Sequence, residues 1–284
     1  MPALHIHFGD NLDLLRTLPE GSIDLIYVDP PFNTGKVQTR TQIAIEPDEH
    51  GDRRGFAGRT YRTLPLGTRA YADWFDDYLA FLEPRLAEAH RVLRPNGSLF
   101  LHLDCREVHY AKVLLDQIFG RASFLNEIIW AYDYGARSKS RWPAKHDTLL
   151  WYARNPRDYV FNLDASDRIP YMAPGLVGPE KAARGKTPTD VWWHTIVSPT
   201  GKEKTGYPTQ KPRGILDRIV KVHSNSGAQL LDFFAGSGTF GESAWKHGRD
   251  CILVDSNPQA LEVMQKRFAG LPAIWHNWPV EKNR

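Results

Sequence analysis

The sequence predicts an α/β protein built on a doubly wound, mostly parallel sheet. Apolar, β-branched runs alternate with amphipathic stretches along most of the 284 residues, the pattern of strand–helix–strand units. Residues 23–28, apart from Asp24, and 230–231 are apolar at consecutive positions, as strands covered on both faces are. Each of these two runs ends in a turn that suits the carboxyl edge of an open α/β sheet, where ligands bind.

The elements follow in order. Residues 3–8 form a strand, and Asn11 caps a helix through Leu12, Leu14, Leu15 and Leu18. Residues 23–28 are the next strand. Residues 33–70 mix Gly, Thr, Arg and acids without an evident period, which predicts a mobile loop. Residues 70–93 read as one long amphipathic helix, or two broken near Pro84. A strand at 98–103 follows an Arg-Pro-Asn-Gly turn, and a helix at 108–119 stops at Gly120. Short strands at 127–131 and 148–151 are expected to pair. Alternation then fails from Arg154 to about Thr205, a Pro-, Gly- and charge-rich stretch with scattered aromatics. It resumes with a helix at 213–222, a strand at 230–232, a helix at 240–248, a strand at 251–255 and a last helix at 258–268.

Composition bounds the function. The length allows one large domain, or one domain with an insertion, and a substantial core. No run of eighteen apolar residues exists, so no membrane span is expected, and the first residues have no basic, apolar leader. Two cysteines, Cys105 and Cys251, suit a reducing cytoplasm rather than a disulfide scaffold. Cys and His do not cluster at ligand spacing, so no metal is expected. A net charge of +3 says little about partners.

Asp29-Pro30-Pro31-Phe32 closes the strand at 23–28. Two prolines cannot continue a central strand, because they lack the N–H and fix φ. The chain must leave the sheet there in a stiff shape. The chemistry suits an exocyclic amine, a poor nucleophile whose lone pair is delocalised into its ring. An acceptor for the amine hydrogens favours the positive charge that develops on nitrogen. The Asp29 carboxylate and the Pro30 carbonyl can both accept. Phe32 offers a stacking face for a base.

The run at 230–232 ends in Asp232-Phe233-Phe234-Ala235-Gly236-Ser237-Gly238-Thr239. The glycines let the backbone approach a ligand, and a helix N-terminus follows. Asp255 ends the next strand about twenty residues on, the usual distance for a carboxylate that binds ribose hydroxyls. Gly236, Gly238 and Gly241 also satisfy G-x-G-x-x-G, which keeps a nucleotide-dependent oxidoreductase in view. A hydride-transfer enzyme has no use for Asp-Pro-Pro-Phe, whereas an amino methyltransferase needs both parts.

The chain resembles the DNA amino-methyltransferases that act on adenine N6 or cytosine N4. Asp29–Phe32 matches the catalytic motif and Asp232–Thr239 the cofactor loop. Tyr207-Pro208-Thr209-Gln210-Lys211-Pro212 is a third match. The catalytic motif precedes the cofactor motif, as in the permuted β order of that family. The resemblance implies a sheet of the S-adenosylmethionine-dependent methyltransferase type carrying an irregular target-recognition insertion. It implies a catalytic half at 1–154, a target-recognition region at 155–205, and a cofactor half at 206–284. S-adenosylmethionine is the cofactor implied. Asp10, Thr209, Lys211, Asp232, Phe234, Ala235, Gly236, Ser237, Gly238, Thr239 and Asp255 are its expected contacts. Asp10 would reach the cofactor's adenine amino group and Lys211 its methionine carboxylate. Members with Asp at the first motif position are mostly adenine N6 enzymes, and Ser is commoner among cytosine N4 enzymes. The implied reaction is site-specific methylation of adenine N6 on a flipped base, with cytosine N4 as the alternative.

Double-stranded DNA is then the expected partner, in a bacterial cytoplasm at the nucleoid. A homodimer and a companion restriction endonuclease are partners the resemblance raises without deciding. Arg137, Lys139, Arg141 and Lys145, interleaved with aromatics, suit a phosphate-tracking surface. The 33–70 segment, with Lys36, Arg40, Arg53, Arg54, Arg59, Arg62 and Arg69, reads either as a loop that closes over DNA or substrate or as one disordered without DNA. In the irregular stretch, Lys202, Lys204, Trp192, Trp193 and His194 are candidate contacts; adjacent tryptophans are more often core.

Overall fold

The computed structural model describes residues 2–33, 36–48, 50, 53–54, 60–73, 75–133, 137–198 and 201–277. The chain divides into two compact units, residues 1–32 with 77–284, and residues 33–76.

The larger unit is built on one nine-stranded sheet. Its strands are β1 (Leu4–Phe8), β2 (Ile23–Val28), β6 (Leu93–Leu103), β7 (Phe124–Ala131), β8 (His146–Ala153), β9 (Val191–Trp193), β10 (Gln229–Asp232), β11 (Asp250–Asp255) and β12 (Ala273–His276). The order across the sheet is β12-β1-β11-β10-β2-β6-β8-β7-β9. Every pairing from β12 to β6 is parallel. β8 runs antiparallel to both its neighbours, and β9 pairs parallel with β7. The doubly wound, mostly parallel sheet expected from the sequence is present. β1 lies between β12 and β11, and β2 lies beside β10, so both ends of the chain build one sheet.

Packing explains the apolar runs. Leu25 and Tyr27 of β2 share a core with Phe100 of β6, with Ile215, Leu216 and Ile219 of helix α5 (Arg213–His223), with Phe240 of α6 (Thr239–Lys246) and with Met264 of α7 (Pro258–Arg267). The alternate residues Ile26, Val28, Leu99 and Leu101 are equally buried, as are Leu82, Leu86 and Ala89 of α2 (Tyr78–Val92). A strand with both faces covered needs apolar side chains at every position.

Several local expectations change. Helix α1 (Asn11–Thr17) is capped by Asp10, whose carboxylate accepts from the Leu12 amide at 2.7 Å. Asn11 turns inward instead and donates to the Phe233 carbonyl at 2.6 Å. α2 begins at Tyr78, eight residues later than the expected 70, and Pro84 lies inside it without ending it. The next residue, Arg85, reaches back one turn, its guanidinium donating to the Phe81 carbonyl at 2.9 Å. α3 (Val108–Phe119) ends at Gly120 as expected. The strands at 127–131 and 148–151 do pair. The irregular stretch holds a short helix, α4 (Pro179–Arg184), and supplies edge strand β9. Strand alternation splits its tryptophans: Trp192 is buried and Trp193 is 72% exposed.

The smaller unit replaces the expected loop. β3 (Lys36–Pro47) pairs antiparallel with β5 (Thr60–Asp73), with a register shift at Gln42/Ile43, and β4 (Arg53–Arg54) pairs with β5. The signal was in the sequence. Val37, Thr39, Thr41, Ile43 and Ile45 place a β-branched residue at every second position, the period of a strand. Interleaved charges and glycines masked it. Arg62 pairs with Asp48 at 2.7 Å. Arg59 lies outside the described residues, as do the side chains of Lys36, Arg40, Arg53, Arg54 and Arg69.

Candidate active site

Three carboxylates stand in a row at the carboxyl ends of adjacent parallel strands. Asp255 ends β11, Asp232 ends β10, and Asp29 follows β2. This is the edge where open α/β sheets bind ligands.

The turn after β10 is held by its own neighbours. The Asp232 carboxylate accepts from the Phe234 amide at 3.0 Å, and Gly238 N–H donates to Ala235 at 2.8 Å. The Gly236 amide donates to Asp255 at 2.7 Å, and the hydroxyls of Ser237 and Thr239 are 2.9 Å apart. Gly236 and Gly238 have φ of 50° and 73°, values that favour glycine. A Cβ on Gly238 would come within 2.8 Å of Met264, and one on Gly241 within 2.5 Å of Leu253. Gly241 is therefore a helix–strand packing glycine. Asn257, not Asp255, caps α7, accepting from Gln259 N–H at 2.9 Å. Asp255 is left facing the turn. Burial pushes its carboxyl up to about 6, against the pull of the Asn257, Gly236 and Ser256 amides. Burial likewise pushes the Asp232 carboxyl well up, reinforced by the charges of Asp29 and Asp255.

The turn after β2 is held from far away. Lys211 Nζ donates to Asp29 Oδ2 at 2.6 Å, and both side chains are largely buried. The same ammonium lies 4.7 Å from the centre of the Phe32 ring, within cation–π range. The Tyr78 hydroxyl donates to the Pro31 carbonyl at 2.7 Å. Asp29 Oδ1 is buried, with no hydrogen-bond partner among the described residues. It faces His102 Nδ1 of β6 at 4.0 Å, and His102 Nε2 faces Asp147 of β8 at 3.4 Å. Sequence reading missed His102, Tyr27 and Tyr132. A histidine inside an apolar strand gives no local sign of what it faces.

The remaining expected residues divide. Lys211 sits on Asp29, where a contact to a cofactor carboxylate had been expected. Asp10 caps α1 and pairs with Arg85 at 3.1 Å. Thr209 is exposed. Arg137, Lys139 and Arg141 are exposed, with Trp142 at 95%, on the segment joining β7 to β8 just ahead of Asp147. Lys145 Nζ donates to the Asp133 carbonyl at 2.6 Å. Lys202 is exposed and Lys204 half-buried, away from regular structure.

Fold and site together define an α/β protein with a largely buried carboxylate one strand away from a glycine turn. The sequence model of the DNA methylase family, the N6/N4 methyltransferases, matches residues 23–266. The chain belongs to that family and is a DNA methyltransferase. It is 30% identical over 254 residues to the type II methyltransferase M.HpaI of Haemophilus parainfluenzae, covering 89% of this chain and 70% of that protein. It is 27% identical over 279 residues to the DNA adenine methyltransferase YhdJ of Escherichia coli K12, covering 94% and 83%. Among solved structures, the cytosine-N4-specific PvuII DNA methyltransferase superposes with a TM-score of 0.63 at 17% identity, covering 93% of this chain and 85% of that one. Family membership sets aside the oxidoreductase that G-x-G-x-x-G kept in view. No helix among the described residues is long and apolar enough to cross a membrane.

Proposed function

We propose that this protein transfers a methyl group from S-adenosylmethionine to the N6 amine of adenine in double-stranded DNA, at a specific site and on a base flipped out of the helix. The observation that carries this reading is Asp29, a carboxylate with one oxygen held by Lys211. It stands one strand away from the Gly236–Gly238 turn.

The residues present suit the cofactor. The positive-φ glycines leave backbone bare at the turn, and Asp255 offers lone pairs to ribose hydroxyls. The carboxylates of Asp29 and Asp255 against Lys211 leave an excess of negative charge at neutral pH that suits a sulfonium. Asp10, Thr209, Asp232, Phe234, Ala235, Ser237 and Thr239 complete the proposed cofactor contacts. The cofactor, when bound, supplies an electrophilic methyl group. Asp29 and the Pro30 carbonyl accept the amine hydrogens and orient the nitrogen in line. Phe32 stacks on the extruded base. Arg137, Lys139, Arg141, Lys145, Lys202 and Lys204 meet the phosphates.

Two points favour adenine over cytosine. Asp rather than Ser opens the motif, and YhdJ, similar along 94% of this chain, is an adenine methyltransferase by name. Cytosine N4 is the second reading, because its amine presents the same donors and the PvuII enzyme shares the fold. The deciding experiment incubates the protein with unmethylated bacterial DNA and S-adenosylmethionine bearing a deuterated methyl, then digests the DNA to nucleosides for mass spectrometry. Label on N6-methyladenine is the expected result. Label on N4-methylcytosine keeps the chemistry and changes the base; absence of label despite cofactor binding refutes the proposed activity.

A further inference from the structure

A cavity of about 330 Å³ is lined by residues of β7, β8, β9, α5 and the stretch at 161–190, and by none of the residues in the two turns of the active site. Small-molecule sites run from roughly 300 to 1,000 Å³. Its floor is buried and largely apolar, made by Ile128, Trp151, Trp192 and Val222. Phe161, Thr189 and Asp190 are exposed and form its rim. The Phe161 ring stacks near-parallel on Trp151, with centres 5.8 Å apart.

Polar atoms narrow what such a cavity can hold. Among the described residues, eight buried side-chain nitrogen and oxygen atoms have no hydrogen-bond partner, and three of them belong to residues lining this cavity: Ser166 Oγ, Arg218 Nε and His223 Nδ1. Two others, on Asp29 and His102, belong to the active site, beside the Tyr27 hydroxyl hydrogen-bonded with His102 and the Tyr132 hydroxyl that donates to Asp147. Buried polar groups are rarely left unpaired, because they lose water and gain nothing in return. His223 is only 4% exposed, with the rings of Trp151 and Phe161 at 4.3 and 5.4 Å. Burial pushes its ring down to about 3, against the pull of the Val160 backbone, so the imidazole is neutral. A neutral imidazole nitrogen meets a donor or an acceptor according to its tautomer.

Charge narrows it further. The Arg218 guanidinium lies over the Trp192 ring at 4.8 Å, and its Nε stands 3.6 Å from Asp167, near enough to match the charge but beyond a good hydrogen bond. Asp167 also holds Lys221 at 2.8 Å. With Asp190 on the rim, these groups leave no surplus positive charge for a phosphate.

We propose that this cavity is a second ligand site, for an uncharged purine or pyrimidine base that stacks on its aromatic walls and turns its polar edge to Ser166, Arg218 and His223. A nucleobase joins a flat π face to an edge of donors and acceptors. A hydrocarbon ring would stack and leave the three atoms unpaired, and a phosphate would find the arginine already matched. A free base and a base carried on a single strand share this chemistry. The site stands independently of the methyl-transfer reading, since it shares no residue with it.

Trp151 and Trp192 report on the site directly. The protein is labelled with nitrogen-15 at tryptophan and titrated with adenine or cytosine, with S-adenosylmethionine in excess to occupy the cofactor turn. The indole N–H signals of Trp151 and Trp192 should shift and saturate, while those of Trp142 and Trp245 stay in place. Ser166→Ala, Arg218→Lys and His223→Phe each remove one polar atom, the second keeping the charge and the third the ring. Each should weaken binding about tenfold, the size expected for one buried hydrogen bond. Should His223→Phe fail to fold, the other two decide. Signals of Trp151 and Trp192 unmoved by any base overturn the proposal. Toluene binding as tightly as adenine, or adenosine monophosphate binding more than about tenfold tighter than adenine, overturns the assignment to an uncharged base. A short single-stranded oligonucleotide separates the two sources: shifts from the free base assign a small molecule, and shifts from the oligonucleotide alone assign a base of the strand.

Discussion

The turn after β10 and the turn after β2 stand on neighbouring strands at one sheet edge, yet they are held in opposite ways. In the first, the Asp232 carboxylate takes the Phe234 amide, the Gly236 amide reaches the Asp255 carboxylate 19 residues on, and among the described residues only the Phe233 and Ser237 carbonyls are held from further away, by Asn11 and Arg267. Asp29 is held by Lys211, 182 residues away, and faces a histidine on the next strand. The first turn is mainly a backbone device. The second is a side-chain site assembled by the whole sheet. A ligand cradle needs only bare backbone, which two glycines supply. A charged acceptor in a half-buried place needs a counter-charge and shielding, and its own turn cannot provide them.

The largest effect that separates the two turns comes from Asp29→Ala. Methyl transfer should fall by about 10³-fold or more, the scale of losing a transition-state acceptor. Cofactor affinity, measured by calorimetry, should barely change; loss of both would erase the distinction between the turns. Gly238→Ala probes the other turn. Its Cβ would meet Met264 and sit at positive φ, so stability should drop by about 1–3 kcal/mol. Cofactor affinity should fall with the melting temperature. An unchanged melting temperature would show that the turn does not depend on its glycine.

Lys211→Met should slow transfer about tenfold or more, because it leaves Asp29 half-buried without its cation. If Lys211 instead serves a cofactor carboxylate, affinity will weaken and the transfer rate at saturation will hold. Asp255 gives a smaller, pH-dependent signal. With its carboxyl raised from 3.8 to about 6, the folded state holds more protons than the unfolded one inside that window. Its contribution to stability therefore falls as pH rises through the window. Ribose hydroxyls favour the ionised form, so cofactor affinity should rise as pH climbs towards 6 and then level off. Asp255→Asn should flatten both curves, the first in thermal melts and the second in calorimetry. The smallest effect on the transfer step itself is expected on the DNA side. Replacing Arg137, Lys139 and Arg141 with Ala should lower the slope of log affinity against log salt by about 2–3, and leave cofactor binding alone.

The chain order by itself determined the sheet, both turns, and the residue types that face a ligand. Proline and glycine restrict φ and hydrogen bonding within a few residues, and apolar periodicity reports which faces are covered, so these features are local. The hairpin of β3 and β5 was legible too, in its alternate β-branched residues, but charge and glycine content hid it. Only the tertiary structure decided that Lys211 belongs to Asp29, that His102 and Asp147 stand behind it, and that Trp192 is core while Trp193 faces solvent. Those facts depend on which strands lie side by side. Adjacency between β2, β6, β8 and the segment before α5 is set by the packing of the whole sheet, and no short stretch of sequence carries it.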